Sequence, residues 1–369
     1  MTQTPRELSK IALYNTYDNS PKTIQIVARL QENNPVKMHL EGLLGSSLSF
    51  VIRSVFKKAE LPFLIVLNNK EEAAYYLNDL EQMIGDQDVL FYPGSFRRPY
   101  QIEETDNANV LLRAEVLNRI NSRKKPAVIV TYPEALFEKV VTRKELDKNT
   151  LKVSVEDKIS IDFINEVLFE YEFKRVDFIT EPGEFSVRGG IVDVFSFSND
   201  NPYRIEFFGN EVESIRSFDV ATQLSLEKQK KITIIPNVEN KVFQENRESF
   251  LDYISEKTVI FIQNTEDFLS QLDKQFGKAE EAFEKLSKEI KRSTPEQLFL
   301  NQTEFVKRAL DFSIVELGSK AVFRTTKKFE YHIQPQPSFN KQFDLLLNNL
   351  NENHFNGYKN YLFCSNEAQ

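Results

Sequence analysis

The 369 residues contain one cysteine, three histidines, three methionines and no tryptophan. A single cysteine, Cys364, excludes an internal disulfide framework and fits a reducing compartment; it lies in an apolar stretch and reads as a structural thiol. His39, His332 and His354 stand far apart and share no ligand spacing, so no metal site is expected, and His39 reads as a packed core residue. No Ser-His-Asp set, paired-carboxylate motif or Cys-His cluster stands out, so no catalytic residue is assigned. Positive charge is also in deficit: 47 Lys and Arg against 55 Asp and Glu give a formal charge of −8. That balance argues against nonspecific nucleic-acid binding by the chain as a whole, while leaving room for a local basic patch. No apolar run approaches the ~18 residues of a membrane span. The opening MTQTPRELSKIALYNTYDNS lacks the apolar core of a signal peptide. A soluble, cytoplasmic protein without cofactors is expected.

What is present is enough length for two or three domains and 31 phenylalanines to fill their cores. Residues 1–35 read as helix and linker. Val36–Leu40 is expected as a strand, followed by a Gly/Ser loop, a helix over Ser49–Ala59 and a buried strand at Phe63–Leu67. Strand, glycine loop, helix, strand is a βαβ unit. Helices over Glu71–Met83, Ala108–Asn121 and Glu134–Val141 alternate with strands Val89–Tyr92 and Ala127–Thr131. This alternation predicts a parallel sheet covered on both faces. From Arg143 the texture changes to a helix, Ile161–Tyr171, and then a β-rich stretch ending near Ile234. Residues 235–345 return to α/β texture, with a buried strand at Thr258–Ile262 and a charged helix over Thr265–Lys291 read as a solvated face. A helix at Asn340–Asn351 and a strand at Tyr358–Ser365 close the chain. That last strand has nothing after it to pack on, so a fragment of a longer protein is expected.

The β-rich stretch carries the clearest pattern. In EPGEFSVRGGIVDVF, Phe185 and Val187 alternate with Ser186 and Arg188, placing the apolar pair on one face. Phe185 therefore reads as core. Gly189-Gly190 permits a tight turn into Ile191–Phe197. Tyr203–Phe208 and Glu211–Phe218 form a hairpin around Gly209-Asn210, with Ile205, Phe207 and Val212 on one face and Arg204 and Glu206 on the other. The expected polar face thus holds Ser186, Arg188, Arg204 and Glu206. Strand-borne arginines make good interface anchors, although an antiparallel sheet also presents charge to water for solubility alone.

A phosphate loop needs G-x-x-x-x-G-K-[ST] between a strand and a helix. The corresponding stretch is Gly42-Leu43-Leu44-Gly45-Ser46-Ser47-Leu48-Ser49. Gly42 and Ser49 are in place, but Ser47 replaces the second glycine and Leu48 replaces the lysine that would neutralise the β/γ-phosphates. The buried strand that should end in metal-holding acids runs instead into Gln263-Asn264. Both losses point to a degenerate phosphate loop retained as scaffold. Arg97-Arg98-Pro99-Tyr100 mixes basic and aromatic groups, but Glu103, Glu104 and Asp106 follow at once and would repel phosphate, so a structural role is favoured.

The order of these motifs, with YPGSFRRPYQIEETDNANVLLRAEVLNRI and VTYPEALFEKVVTRKEL, resembles the N-terminal UvrB-like module of the bacterial transcription-repair coupling factor (Mfd) family, from about residue 36 to the end. The resemblance implies a degenerate P-loop, helicase-like α/β domain built from two segments, 1–136 and 235–345. A smaller α+β domain, 137–234, is inserted between them, and 346–369 begin a truncated following domain. It implies that the inserted domain docks UvrA in nucleotide excision repair. The docking positions would fall on Arg188, Arg204 and Glu206, with Lys174 and Arg175 at the rim. Ser186 stands where UvrB carries an arginine. It further implies no enzymatic activity in this fragment, and contacts with RNA polymerase and DNA only through downstream domains of the ATP-dependent translocase. The alternative is a nucleotide- or damaged-DNA-binding module like UvrB itself.

Overall fold

In the computed structural model the described residues are 5–32, 34–95, 107–122, 125–237, 247–285 and 293–362. The first stretch of chain lays down four strands of one sheet: β1 (Lys37–Glu41), β2 (Phe63–Val66), β3 (Val89–Phe91) and β4 (Val128–Thr131). A short strand β5 (Val140–Val141) then leads out of this body. Eight strands follow in sequence: β6 (Leu151–Ser154), β7 (Lys174–Arg175), β8 (Glu184–Arg188), β9 (Ile191–Val194), β10 (Tyr203–Phe208), β11 (Glu211–Phe218), β12 (Ser225–Gln229) and β13 (Lys231–Ile234). The chain returns through β14 (Arg247–Glu248) and completes the first sheet with β15 (Val259–Gln263), β16 (Ser313–Leu317) and β17 (Lys327–Glu330).

The body is a seven-stranded sheet in the order β17-β1-β16-β15-β2-β4-β3, and every neighbouring pair is parallel. Its central strands are buried on both faces, which explains why FLIV and VIFI read as unbroken apolar runs. The intervening segment forms a separate six-stranded mixed sheet, β12-β11-β10-β9-β8-β7, in which only the β7–β8 pair is parallel. The molecule is thus an α/β body with a second, β-rich domain inserted into it.

Two antiparallel ribbons join the parts. Val141 and Val140 of β5 pair with Arg247 and Glu248 of β14. Further out, β6 pairs with β13 from Leu151↔Ile234 to Ser154↔Lys231. Beneath the ribbons lies a buried ion pair, Arg113–Glu138 at 3.4 Å. Glu138 also accepts bonds from Ser95 N and Ser95 Oγ, while Arg113 donates to Pro93 O at 2.9 Å. These contacts tie the loop after β3 to the exit of the chain from the body.

Several expectations need correction. The helix expected over Glu134–Val141 ends at Phe137, because Val140 and Val141 leave the helix to pair with β14. The strand expected at Tyr358–Ser365 is absent over 358–362, and the remainder lies outside the described residues. Tyr358 and Leu362 are exposed, with no neighbouring strand among the described residues to supply hydrogen-bond partners. The charged helix Thr265–Glu284 is not solvated all round: Phe268, Leu269, Leu272, Phe276 and Ala279 recur at helical spacing and are buried. Strands β16 and β17, which flank β1 on either side, add to the expected set. Cys364 and the Arg97–Tyr100 cluster with Glu103, Glu104 and Asp106 also fall outside the described residues. No helix among the described residues is long and apolar enough to cross a membrane.

Candidate functional site

Strand alternation fixes the two faces of the inserted sheet. Phe185, Val192, Val194, Ile205 and Ile215 point into the main core and are buried, as expected for Phe185. Ser186, Arg188, Asp193, Arg204, Glu206 and Arg216 share the opposite face, with cross-strand partners Ser186↔Asp193, Arg204↔Asp193 and Arg204↔Arg216. The expected polar face exists, but it is not uniformly open. The segment running from Val176 to Gly183 lies along it, where Ile179, Phe195 and Phe218 form a small second core.

The centre of the face is Asp193, whose side chain is 2% exposed. Arg204 grips it with two bonds, Nε to Oδ1 at 2.7 Å and Nη2 to Oδ2 at 2.8 Å. Arg188 adds a third, Nη2 to Oδ2 at 2.5 Å. A buried carboxylate is tolerated only when it is paired and hydrogen-bonded, and here three charge-assisted bonds meet that need. Those bonds in turn raise the Arg204 guanidinium above its ordinary value. The Arg204 guanidinium also stacks 4.5 Å from the Phe218 ring centroid, and only 15% of its side chain is exposed. Arg204 is therefore a structural arginine first. Ser186 is buried too, donating to Asp177 O at 3.1 Å.

The accessible part of the face lies around this pair. The Arg188 side chain is 42% exposed and sits 5.3 Å from the Phe178 ring centroid. Lys174 and Arg175 on edge strand β7 are exposed, and Arg175 lines a cleft of about 450 Å³ with Phe178 and Arg188. Glu206 is half-buried; it accepts from Ser214 Oγ at 2.5 Å and pairs with Arg216. Phe208 follows on the same face at the hairpin tip and is 80% exposed. Phe178, Asp193, Phe208 and Arg216 were not singled out in the sequence. The period-two pattern that located Arg204 and Glu206 also reaches Phe208 and Asp193, whereas Phe178 lies in a loop where no period applies.

The EPGE motif has a local physical explanation. Gly183 adopts φ +88°, and a Cβ there would lie 2.6 Å from the Phe197 ring. The Glu184 carboxylate accepts from Thr180 N at 2.8 Å, Thr180 Oγ1 at 2.9 Å and Glu181 N at 3.2 Å, closing the turn that starts β8. Burial by itself would raise this carboxyl, but these donors outweigh it and hold it below its ordinary value.

The phosphate-loop stretch joins β1 to the helix Ser47–Ala59, as expected. Gly42 adopts φ +81°, and a Cβ there would lie 1.9 Å from the Tyr331 carbonyl oxygen, so the first glycine is demanded by packing. Gly45 is also left-handed, at φ +53°. The loop satisfies its own donors: Leu44 N donates to Ser47 Oγ at 3.0 Å, Ser47 N to Leu44 O at 3.3 Å, and Leu48 N to Gly45 O at 3.4 Å. Leu48 is buried, and Ser49 Oγ donates inward to Asp79 Oδ2 at 3.0 Å. At the neighbouring strand end, Asn264 Nδ2 donates to Asn68 Oδ1 at 3.0 Å. His39 is buried, its Nε2 2.8 Å from Gly318 O, as expected of a core residue. Among the described residues no group of three His, Cys, Asp or Glu could hold a metal ion.

Residues 151–239 match the family model described as the UvrB interaction domain. Outside that domain too, the chain is similar to transcription-repair-coupling factors. It is 32% identical over 198 residues to the transcription-repair-coupling factor of Bacillus subtilis, covering 53% of this chain and 17% of that one. With the Rickettsia bellii factor it shares 30% over 204 residues, covering 55% and 18%. With UvrABC system protein B of Mycoplasma mobile it shares 27% over 239 residues, covering 61% and 36%. The chain therefore spans under a fifth of these coupling factors and about a third of this UvrABC protein B. The UvrB interaction domain match begins at β6 and contains the whole mixed sheet, including Arg188, Arg204 and Glu206.

Two stability outcomes follow from this geometry. Arg204→Ala leaves Asp193 buried with Arg188 alone, and is expected to cost about 2 kcal/mol or more in urea unfolding. A loss of only a few tenths would show that Asp193 does not depend on Arg204. For Glu184 the folded carboxyl titrates below the unfolded one, so its contribution is full above the unfolded value and is lost as pH falls through the folded value. Glu184→Gln is expected to be less stable than the native chain by about 1–2 kcal/mol at pH 7. That gap should close as melts are repeated at pH values below the usual carboxylate range; a gap independent of pH would contradict the assignment.

Proposed function

We propose that this chain is a UvrB-mimicking recruitment module whose inserted domain docks UvrA for nucleotide excision repair coupled to transcription. The observation that carries the reading is the coincidence of the UvrB interaction domain match with a strand face bearing exposed Arg188, Phe178 and Phe208. Arginine and aromatic side chains held on a rigid sheet have the composition of an interface core. Arg188 and Glu206 present charge to the partner, Lys174 and Arg175 extend the rim, and Arg204 and Ser186 hold the face in shape from beneath. The division of the chain at 136, 234 and 345 belongs to the same proposal. Contacts with RNA polymerase and with DNA are assigned to no residue of this chain.

The α/β body, in this reading, performs no nucleotide chemistry. A phosphate loop works by offering free backbone N–H groups, a lysine and a metal-binding hydroxyl to a triphosphate. Here Leu44, Ser47 and Leu48 N–H groups bond within the loop, Leu48 is buried and Ser49 is spent on Asp79. Rebuilding the cradle would require breaking those bonds without any cation to compensate the phosphates.

Purified UvrA captured on the immobilised chain tests the docking face. Arg188→Ala combined with Phe208→Ser is expected to weaken binding by about 2–5 kcal/mol, while the melting temperature falls by less than in Arg204→Ala, because Arg204 still holds Asp193 with two bonds. Unchanged affinity in the double variant would reject the face. Calorimetric titration with Mg-ATP tests the body separately. No saturable heat is expected at micromolar nucleotide, and a saturable signal would favour the alternative of a nucleotide-binding, UvrB-like module.

A further inference from the structure

The end of the parallel sheet opposite the phosphate loop, where its strands begin, carries an open groove that the docking reading does not use. Its deeper part, about 280 Å³, is floored by Pro62, Leu90, Ile120, Ile129 and Ile254. Arg119, Lys125 and Lys257 stand around it. A second hollow of about 490 Å³ shares Ile120, Ile254 and Ser255 with the first and continues toward the neck, adding Arg143 and Lys144. The two form one channel running from the sheet to the short helix Arg143–Lys148 that opens the inserted segment.

The charge of the channel is opposite to that of the chain. Against an overall −8, the rim gathers five cationic side chains. Arg119 is engaged by Glu115 at 2.6 Å, and Arg143 donates to Tyr253 O at 2.7 Å. Lys125, Lys144 and Lys257 are exposed and make no ion pair among the described residues. Glu248 and Asp252 line the outer hollow, and Asp252 is already paired with Arg308 at 2.9 Å. The floor is apolar and small. Its volume lies at the lower edge of small-ligand pockets and suits one large side chain better than a cofactor. An apolar floor is a poor seat for phosphates, which bind through hydrogen-bond donors.

We propose that this groove binds an acidic protein segment that inserts one apolar anchor residue between Ile120, Ile129 and Ile254 while its carboxylates meet Lys125, Lys144 and Lys257. Because the outer hollow includes Thr142, Arg143 and Lys144, such a segment touches the body and the entry to the inserted domain at once. The site is separate from the strand face around Arg188, and its occupant need not be the same partner.

The probe is a short dye-labelled peptide in which glutamates flank a single phenylalanine, followed by fluorescence anisotropy with the full chain. Saturable binding is expected. The double charge reversal Lys125→Glu with Lys257→Glu should weaken it at least about tenfold. Both lysines are exposed, so folding should be retained, and circular dichroism checks this. The arginine variants Lys125→Arg with Lys257→Arg should bind as the native chain does. A peptide with serine in place of the phenylalanine should lose most of the affinity. Absence of binding, indifference to the charge reversal, or equal binding of the serine peptide would each overturn the proposal.

Discussion

A parallel sheet assembled from two distant stretches of chain closes only if the intervening segment returns to the point where it left. Here that constraint is met by backbone hydrogen bonds in two short ribbons, β5 with β14 and β6 with β13. Each is too short to be stable alone. They persist because Val140, Val141, Val153, Ile232 and Ile234 are buried in a core continuous with both the body and the inserted sheet. The buried Arg113–Glu138 pair, with its bonds to Pro93 and Ser95, fixes the start of this crossing. The exit and the return of the inserted segment therefore lie side by side, as the body needs in order to bring β15 beside β2.

Within the inserted sheet a second constraint takes over. A carboxylate at Asp193, almost without exposure, must be neutralised, and the arginines directly beside it do this. In the proposed docking role the consequence is a division of labour. Arg204 is held flat against Phe218 and Asp193, and Arg188 reaches outward toward Phe178. An interface formed on such a surface meets side chains that are already ordered, so little conformational entropy remains to be lost on binding.

The body follows a different logic. Its β1–loop–helix unit turns at Gly42, where a Cβ would strike the Tyr331 carbonyl. The polar groups beside it bond inward: the hydroxyl of Ser49 meets Asp79, and Asn264 and Asn68 join the strand ends.

Alternation and apolar runs determined much of this from sequence alone. Period two separated Phe185 and Ile205 from Arg188 and Glu206, and unbroken apolar runs located β2, β4 and β15, because these patterns report burial directly. The leucine at position 48 and the amides at 263–264 were equally legible, since residue identity needs no coordinates. Tertiary structure decided what sequence spacing could not: that Asp193 draws Arg204 out of solvent, that the segment ending at Gly183 covers Ser186, and that Phe178 and Phe208 remain open. It also decided strands β16 and β17, and the two valines of β5, which become strand only because a distant segment supplies hydrogen-bond partners. Local pattern records which side chains avoid water; which charges find each other depends on contacts made across the fold.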